Sequence, residues 1–244
     1  MSNCAIIPAR AGSKGVPNKN IRTLCGHPII AFSIITALEC KKIERVVVST
    51  DCPKIAKISK KYGAEVPFLR PAKFAQDLSP AIDYINHAFL KLEEIDNYKP
   101  DQIILLLPTT PLRETLIIDQ AIKTLRSNFE ATGLRSVQEL AEPPQKMMAL
   151  KDGYLTGFFP DDPRPEYFNL PRQTFPIAYH PNGYVEIIRR KTLDDNGTLY
   201  GPKVLGIITP FSVEIDTPED FKYLEYVAQD YLHPLINKLS IRRF

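Results

Sequence analysis

Short runs of aliphatic and β-branched residues recur along the chain, separated by stretches in which apolar residues return every third or fourth position. "CAIIPA" (4–9), "RVVVST" (45–50) and "QIILLL" (102–107) are apolar at successive positions, as parallel strands covered on both faces tend to be. Helical spacing lies between them. Ser79-Pro80 offers an N-cap and a first-turn proline, after which Ile82, Ile85, Phe89 and Leu92 share one face. Ile118, Ala121, Ile122 and Leu125 repeat that spacing. Thr217-Pro218-Glu219-Asp220 begins another helix, with Phe221, Leu224 and Ala228 facing inward. Strand–helix alternation of this kind predicts βαβ units and an α/β fold with a mostly parallel sheet. Such sheets bind ligands beyond the carboxyl ends of their strands, and residues 10–20 follow the first of these.

The alternation breaks between 133 and 183. Prolines 143, 144, 160, 163, 165, 171, 176 and 181 are interleaved there with Tyr154, Phe158, Phe159, Tyr167, Phe168, Phe175 and Tyr179. A disordered linker would be poor in aromatics. This segment is therefore expected to pack, either on the rest of the chain or on a second subunit. A length of 244 residues suits one large α/β domain, 1–244, with an appended element. A net charge of +3, with no block of lysine and arginine, argues against a nucleic-acid partner. The N-terminus shows no signal-peptide pattern, and the apolar run 29–38 is too short to span a membrane. A cytoplasmic location is expected, with Cys4, Cys25, Cys40 and Cys52 as free thiols.

Charge changes the picture at one place. No acidic residue precedes Glu39, yet Arg10, Lys14, Lys19 and Arg22 crowd into and just beyond "IIPARAGSKGVPNKN" (6–20). Unopposed positive charge on a glycine-containing loop after a strand is what a bound polyanion needs. The GxxxxGK[ST] and GxGxxG phosphate loops are absent. Gly12 and Gly15 nevertheless allow close backbone approach, and Arg10, Lys14 and Lys19 can give charge-assisted hydrogen bonds to phosphate. The alternative is a solvated basic turn. His27, His87, His180 and His233 lack metal-ligand spacing, and there is no GxSxG elbow, which disfavours hydrolase chemistry. Glu214 and Asp216 in "SVEIDTPEDF" alternate along an extended segment and can face one point. Two carboxylates completed by water and phosphate oxygens suit Mg²⁺. Alternatively, Asp216 belongs to the helix-start capping around Thr217.

The stretch "IIPARAGSKGVPNKNI" resembles the signature of the CMP-sialic acid synthetases, the N-acylneuraminate cytidylyltransferase family. "VVVSTD" (46–51), "LLLPTTPLR" (105–113), "PNGYVEI" (181–187) and "EIDTPEDF" (214–221) follow in the family's order, so the resemblance covers nearly the whole chain. It implies a Rossmann-like nucleotidyltransferase sheet flanked by helices, with a dimerisation arm at about 133–183 and a homodimer. It also implies CMP transfer from CTP to the anomeric hydroxyl of a sialic acid or related nonulosonic acid, releasing pyrophosphate. On the matching positions, Arg10, Lys14, Lys19, Asn20 and Arg70 would bind the nucleotide, with Lys14 on the triphosphate. Glu214 and Asp216 would hold Mg²⁺, and Arg10, Lys14 and Asp216 would serve catalysis. Lys146 and Arg172, on the arm, would meet the sugar, as would the positions of Leu107 and Glu186.

Three of these positions depart from the family. Leu107 replaces a glutamine, Glu186 a tyrosine and Glu214 an aspartate. The first two point to a relative of sialic acid as the better substrate. Two rival readings are a CMP-Kdo synthetase-like enzyme acting on an eight-carbon acid and a noncatalytic nucleotide- or sugar-binding module. "SKGVPNKN" speaks against the former, and intact Arg10, Lys14 and Asp216 against the latter.

Overall fold

The computed structural model describes residues 1–230 and 233–241. In chain order the elements begin with β1 (Asn3–Pro8), a two-residue ribbon of β2 (Thr23–Leu24) and β3 (His27–Pro28), α1 (Ile29–Glu39), β4 (Arg45–Ser49) and α2 (Pro53–Lys61). Next come α3 (Ala81–Asp96), β5 (Gln102–Leu105), α4 (Thr115–Ser127), β6 (Gly133–Glu139), and the hairpin of β7 (Met148–Lys151) and β8 (Tyr154–Gly157). The chain continues through β9 (Tyr179–Arg189), α5 (Arg190–Asn196), β10 (Val204–Ile208), α6 (Pro218–Asp230) and α7 (Pro234–Ile241).

Among the described residues, six strands form the central sheet in the order β10-β6-β9-β5-β1-β4. β1 runs parallel to β4 and β5, and β10 parallel to β6, while β9 is antiparallel to both its neighbours. The expected apolar runs are β1, β5 and the edge strand β4, each with side chains buried on both faces of the sheet. Side chains alternate along β1, so Ala5 and Ile7 join the core beneath α1, α4, α6 and α7, whereas Cys4 and Ile6 join that beneath α3. The run 29–38 is α1, buried from Ile29 to Ala37 and therefore a core helix. Ile118, Ala121, Ile122 and Leu125 on α4, and Phe221, Leu224 and Ala228 on α6, are buried as their spacing predicts. No helix among the described residues is long and apolar enough to cross a membrane. All four cysteines are free.

Two boundaries move. Ser79 does not cap α3, which starts after Pro80. Its hydroxyl instead donates to the Lys73 carbonyl (2.9 Å) and accepts from the Gln76 N–H (3.1 Å), closing a tight turn. The segment 133–183 is not all arm either. β6 lies between β9 and β10, and β9 starts at Tyr179, so 140–178 is the part outside the central sheet. The aromatic content of 133–183 had masked two sheet strands at its ends. Within the arm, Asp152 and Gly153 both take positive φ, the turn that matches the twist of a two-residue hairpin. Tyr167 and Phe175 are buried in it, while Leu150, Tyr154, Leu155 and Phe158 are exposed.

Candidate active site

β1, β4 and β5 end on the same side of the sheet, and the segments beyond them border a cleft of about 420 Å³. Arg10, Lys14, Lys19 and Asn20 line it from the loop after β1. Arg70 and Asp77 line it from the stretch between α2 and α3, and Leu107 from the segment after β5. Asp216, which precedes α6, completes the wall. The structure thus gathers seven of the sequence-predicted site residues, together with Asp77, which was not among them.

The cationic loop is tied down at both ends. The Ala9 N–H donates to the Ser49 carbonyl (3.0 Å) and the Ala11 N–H to Asp51 Oδ1 (3.0 Å). Asn18 takes the left-handed conformation that asparagine tolerates, and its carbonyl accepts from the N–H groups of Ile21 and Arg22. Asn20 is buried, with its amide donating to the Arg10 carbonyl at 2.9 Å, so it shapes the loop as well as lining the cleft. Gly15 is required by its neighbour: a Cβ there would lie 2.2 Å from the Asp216 carbonyl oxygen. Gly12 faces open space. Arg22 leaves the cationic set, because its guanidinium stacks 4.2 Å from the Phe221 ring centroid.

The positive charge is not unopposed. Asp77 accepts from Arg10 (2.7 Å) through one carboxylate oxygen and pairs with the Lys14 ammonium through the other. Lys14, and then Arg10, hold its carboxyl below the usual aspartate range. Sequence distance hid this acid, since the turn that delivers it lies beyond β4 and α2. Arg70 is buried, with Nε donating to Ser49 Oγ (3.1 Å), another nitrogen to the Ser49 carbonyl, and its carbon 4.6 Å from the Tyr84 ring centroid. Burial lowers its pKa.

The acid pair is positioned by the residue between its members. Ile215 is fully buried, and its N–H donates to the Thr109 carbonyl at 2.9 Å. Lys19 holds the other side. Its ammonium donates to the Ile215 carbonyl (2.7 Å) and to Asp216 Oδ1 (3.1 Å), so Lys19 serves the acid segment here. Asp216 is not the helix cap. Asp220 Oδ2 accepts from the N–H groups of Asp216 (3.0 Å) and Thr217 (2.8 Å), while Thr217 Oγ1 accepts from the Asp220 N–H (3.2 Å). This reciprocal capping starts α6 without the Asp216 carboxylate, which stays 72% exposed. The Glu214 carboxyl is half-buried and no described group hydrogen-bonds it. Its pKa is pushed up, by burial first and by Asp216 next. A half-buried carboxyl without a donor beside an exposed carboxylate fits a hard cation. No cluster of three or more potential ligands occurs among the described residues, so further ligands would have to be water or substrate oxygens.

Three predicted sugar contacts lie elsewhere. Glu186 is buried in β9, where it accepts two hydrogen bonds from Arg135 (3.0 and 2.7 Å) and one from the Tyr200 hydroxyl. Its carboxylate is thus occupied and it does not line the cleft, because adjacent β6 presents a cation to it that the sequence does not mark. Lys146 donates to the Leu170 carbonyl (3.4 Å) and Arg172 to the Ala141 carbonyl (3.3 Å); both sit on the arm and neither lines the cleft. Leu107 does line it, with Gly183 packed so closely that an added Cβ would lie 3.1 Å from Leu107 Cδ1. Arg113 was missed by sequence reasoning. Fully buried, it donates to the carbonyls of Tyr184 (2.5 Å), Leu107 (2.6 Å) and Gly183 (3.0 Å) and to Ser33 Oγ (2.9 Å). Its signal was an arginine closing the otherwise uncharged "LLLPTTPLR".

The model of a family described as cytidylyltransferase matches residues 4–231. The CMP-N,N′-diacetyllegionaminic acid synthase of Legionella pneumophila is 34% identical over 233 residues, covering 92% of this chain and 95% of that one. The N-acylneuraminate cytidylyltransferase of Escherichia coli is 32% identical over 227 residues, 92% of this chain and 52% of that one. Among solved structures, CMP:2-keto-3-deoxy-manno-octonic acid synthetase complexed with CTP superposes with a TM-score of 0.69 at 16% identity, covering 95% of this chain and all of that one, and so shares the fold. With a cleft at the strand ends, lined by cations of the loop after β1 and by Asp216 before α6, the chain belongs to the cytidylyltransferase family.

Proposed function

We propose that this protein transfers CMP from CTP to the anomeric hydroxyl of a nonulosonic sugar acid and releases pyrophosphate. The observation that carries the reading is the convergence of Arg10 and Lys14 with Asp216, free of any capping duty, on one cleft. Arg10 and Lys14 are placed to neutralise the charge that builds on the departing pyrophosphate, an interaction stronger in the transition state than before it. Arg70 and Asn20 form the nucleotide wall, and Arg70 is pre-aimed by Ser49. Glu214 and Asp216 are the residues that would hold Mg²⁺, which when bound supplies Lewis-acid polarisation of the α-phosphate. Lys19 orients Asp216.

In this reading the protein works as a cytoplasmic homodimer. The exposed Leu150, Tyr154, Leu155 and Phe158 of the arm would be covered by a second copy. Lys146 and Arg172 would then meet the sugar carboxylate in the neighbour's cleft. Leu107 offers no hydrogen bond, so a sugar hydroxyl or amide delivered against it would be desolvated without a partner.

The test is pyrophosphate release from CTP with a panel of acids: N-acetylneuraminic acid, the N,N′-diacetyllegionaminic acid named for the Legionella relative, other acylated nonulosonates, and an eight-carbon octulosonate. Catalytic efficiency is expected to peak with a nonulosonate other than N-acetylneuraminic acid. A peak with the octulosonate, or no release with any acid, would overturn the proposal.

A further inference from the structure

Asp77 stands out because its charge opposes the ligand proposed for the cleft. Of the two carboxylates lining that cleft, Asp216 sits with Lys19, whereas Asp77 spans Arg10 and Lys14 with one oxygen on each. A carboxylate bridging two cations occupies them much as a phosphate group would. We propose that Asp77 is a competing anion, seated on the phosphate-binding cations of the empty cleft, displaced by the β- and γ-phosphates of the nucleotide, and returning as pyrophosphate leaves. This rests on the cytidylyltransfer reading above and adds to it a residue that sets how tightly polyphosphate is held.

The surroundings of Asp77 suit such exchange. Its turn is braced without its carboxylate: Ser79 Oγ donates to the Lys73 carbonyl, the Gln76 N–H donates to Ser79 Oγ, and the Ser79 N–H donates to the Gln76 carbonyl at 3.2 Å. The tip is open, with the adjacent Leu78 96% exposed. On the other partner, the Lys14 side chain is 83% exposed, and an ion pair so open to water is weak enough for a multiply charged competitor to displace. The clasp also organises the site. Holding Arg10 and Lys14 near each other before the nucleotide arrives lowers the cost of ordering two long side chains on binding. It cuts the net charge facing the polyphosphate as well, which weakens ground-state affinity and speeds loss of the product.

Calorimetric titration of the full chain with pyrophosphate, CTP and CMP separates the possibilities, using wild type, Asp77→Asn and the charge-retaining Asp77→Glu. Asp77→Asn is expected to bind pyrophosphate about 10-fold more tightly, the scale of removing one close charge from a partly solvated site. CTP should gain similarly. CMP, which lacks the β- and γ-phosphates, should change little, and product inhibition by pyrophosphate should deepen in step. Asp77→Glu should stay near wild type. Unchanged or weaker pyrophosphate binding in Asp77→Asn would overturn the clasp, as would equal tightening in Asp77→Glu, which would assign the effect to the turn rather than the charge. Wild type that binds CTP while the variants show no such pattern removes only the clasp. Wild type that binds neither CTP nor pyrophosphate removes the functional reading together with it.

Discussion

Asp216 and Asp220 stand four residues apart and divide two tasks that the sequence leaves merged. Asp220 caps α6 through the N–H groups of Asp216 and Thr217, and the Asp216 carboxylate faces the cleft. Asp216→Asn should therefore shift stability by no more than about 0.5 kcal/mol, as surface changes away from caps and cores do. Turnover should nearly vanish, and its dependence on Mg²⁺ should weaken. A melting curve and a rate measured on one preparation check both, and a destabilised variant with normal turnover would return Asp216 to the cap. Asp220→Ala should show the reverse, losing about 1 kcal/mol of stability. Those N–H groups hold the Asp220 pKa below its ordinary 3.8. Its contribution is therefore complete above 3.8 and disappears as the pH falls through the lower folded value. The gap in melting temperature between wild type and Asp220→Ala should close on that acid limb. A gap that persists at lower pH would mean the carboxylate charge is not what caps the helix.

At the level of elements, the cleft depends on segments far apart in sequence being held in register. Arg113, at the entry to α4, ties the segment after β5 to the middle of β9 through the carbonyls of Leu107, Gly183 and Tyr184. Burial lowers its pKa to about 9, so it keeps its charge at neutral pH. Arg113→Leu would strand buried acceptors that water does not reach, at about 1–3 kcal/mol for each left unpaired. The variant should melt well below wild type, and Arg113→Lys should not restore it, since one ammonium cannot reach the acceptors a planar fork spans. A Lys variant with wild-type melting temperature would show that the fork geometry is not what matters. The same register explains Glu186: with β9 antiparallel between β5 and β6, Glu186 lies opposite Arg135 and is enclosed by it.

At the scale of the whole molecule, the hairpin of the arm leaves Leu150, Tyr154 and Leu155 exposed. Exposed apolar residues clustered on one hairpin mark an interaction surface. Wild type is expected to sediment as a dimer at micromolar concentration. Tyr154→Arg combined with Leu155→Arg should sediment as a monomer, bind CTP normally and lose turnover, because Lys146 and Arg172 would no longer reach a neighbour's cleft. A fully active wild-type monomer would exclude both the dimer and the shared site.

Hydrophobic periodicity alone determined the α/β class, strands β1, β4 and β5 and the buried faces of α4 and α6, because side-chain alternation and helical repeat are local properties of the chain. The glycine-containing cationic loop and the "EID" segment were legible for a similar reason: their chemistry lies within a few residues. Tertiary structure decided the rest. β6 and β9 became sheet strands through pairing with partners distant in sequence. Lys19 turned to Asp216, Arg22 to Phe221 and Glu186 to Arg135 only once the fold brought those partners within reach. Asp77 and Arg113 could not be read as site residues for the same physical reason. A charge acts over a few ångströms through space, and the chain alone does not say which charges will share that distance.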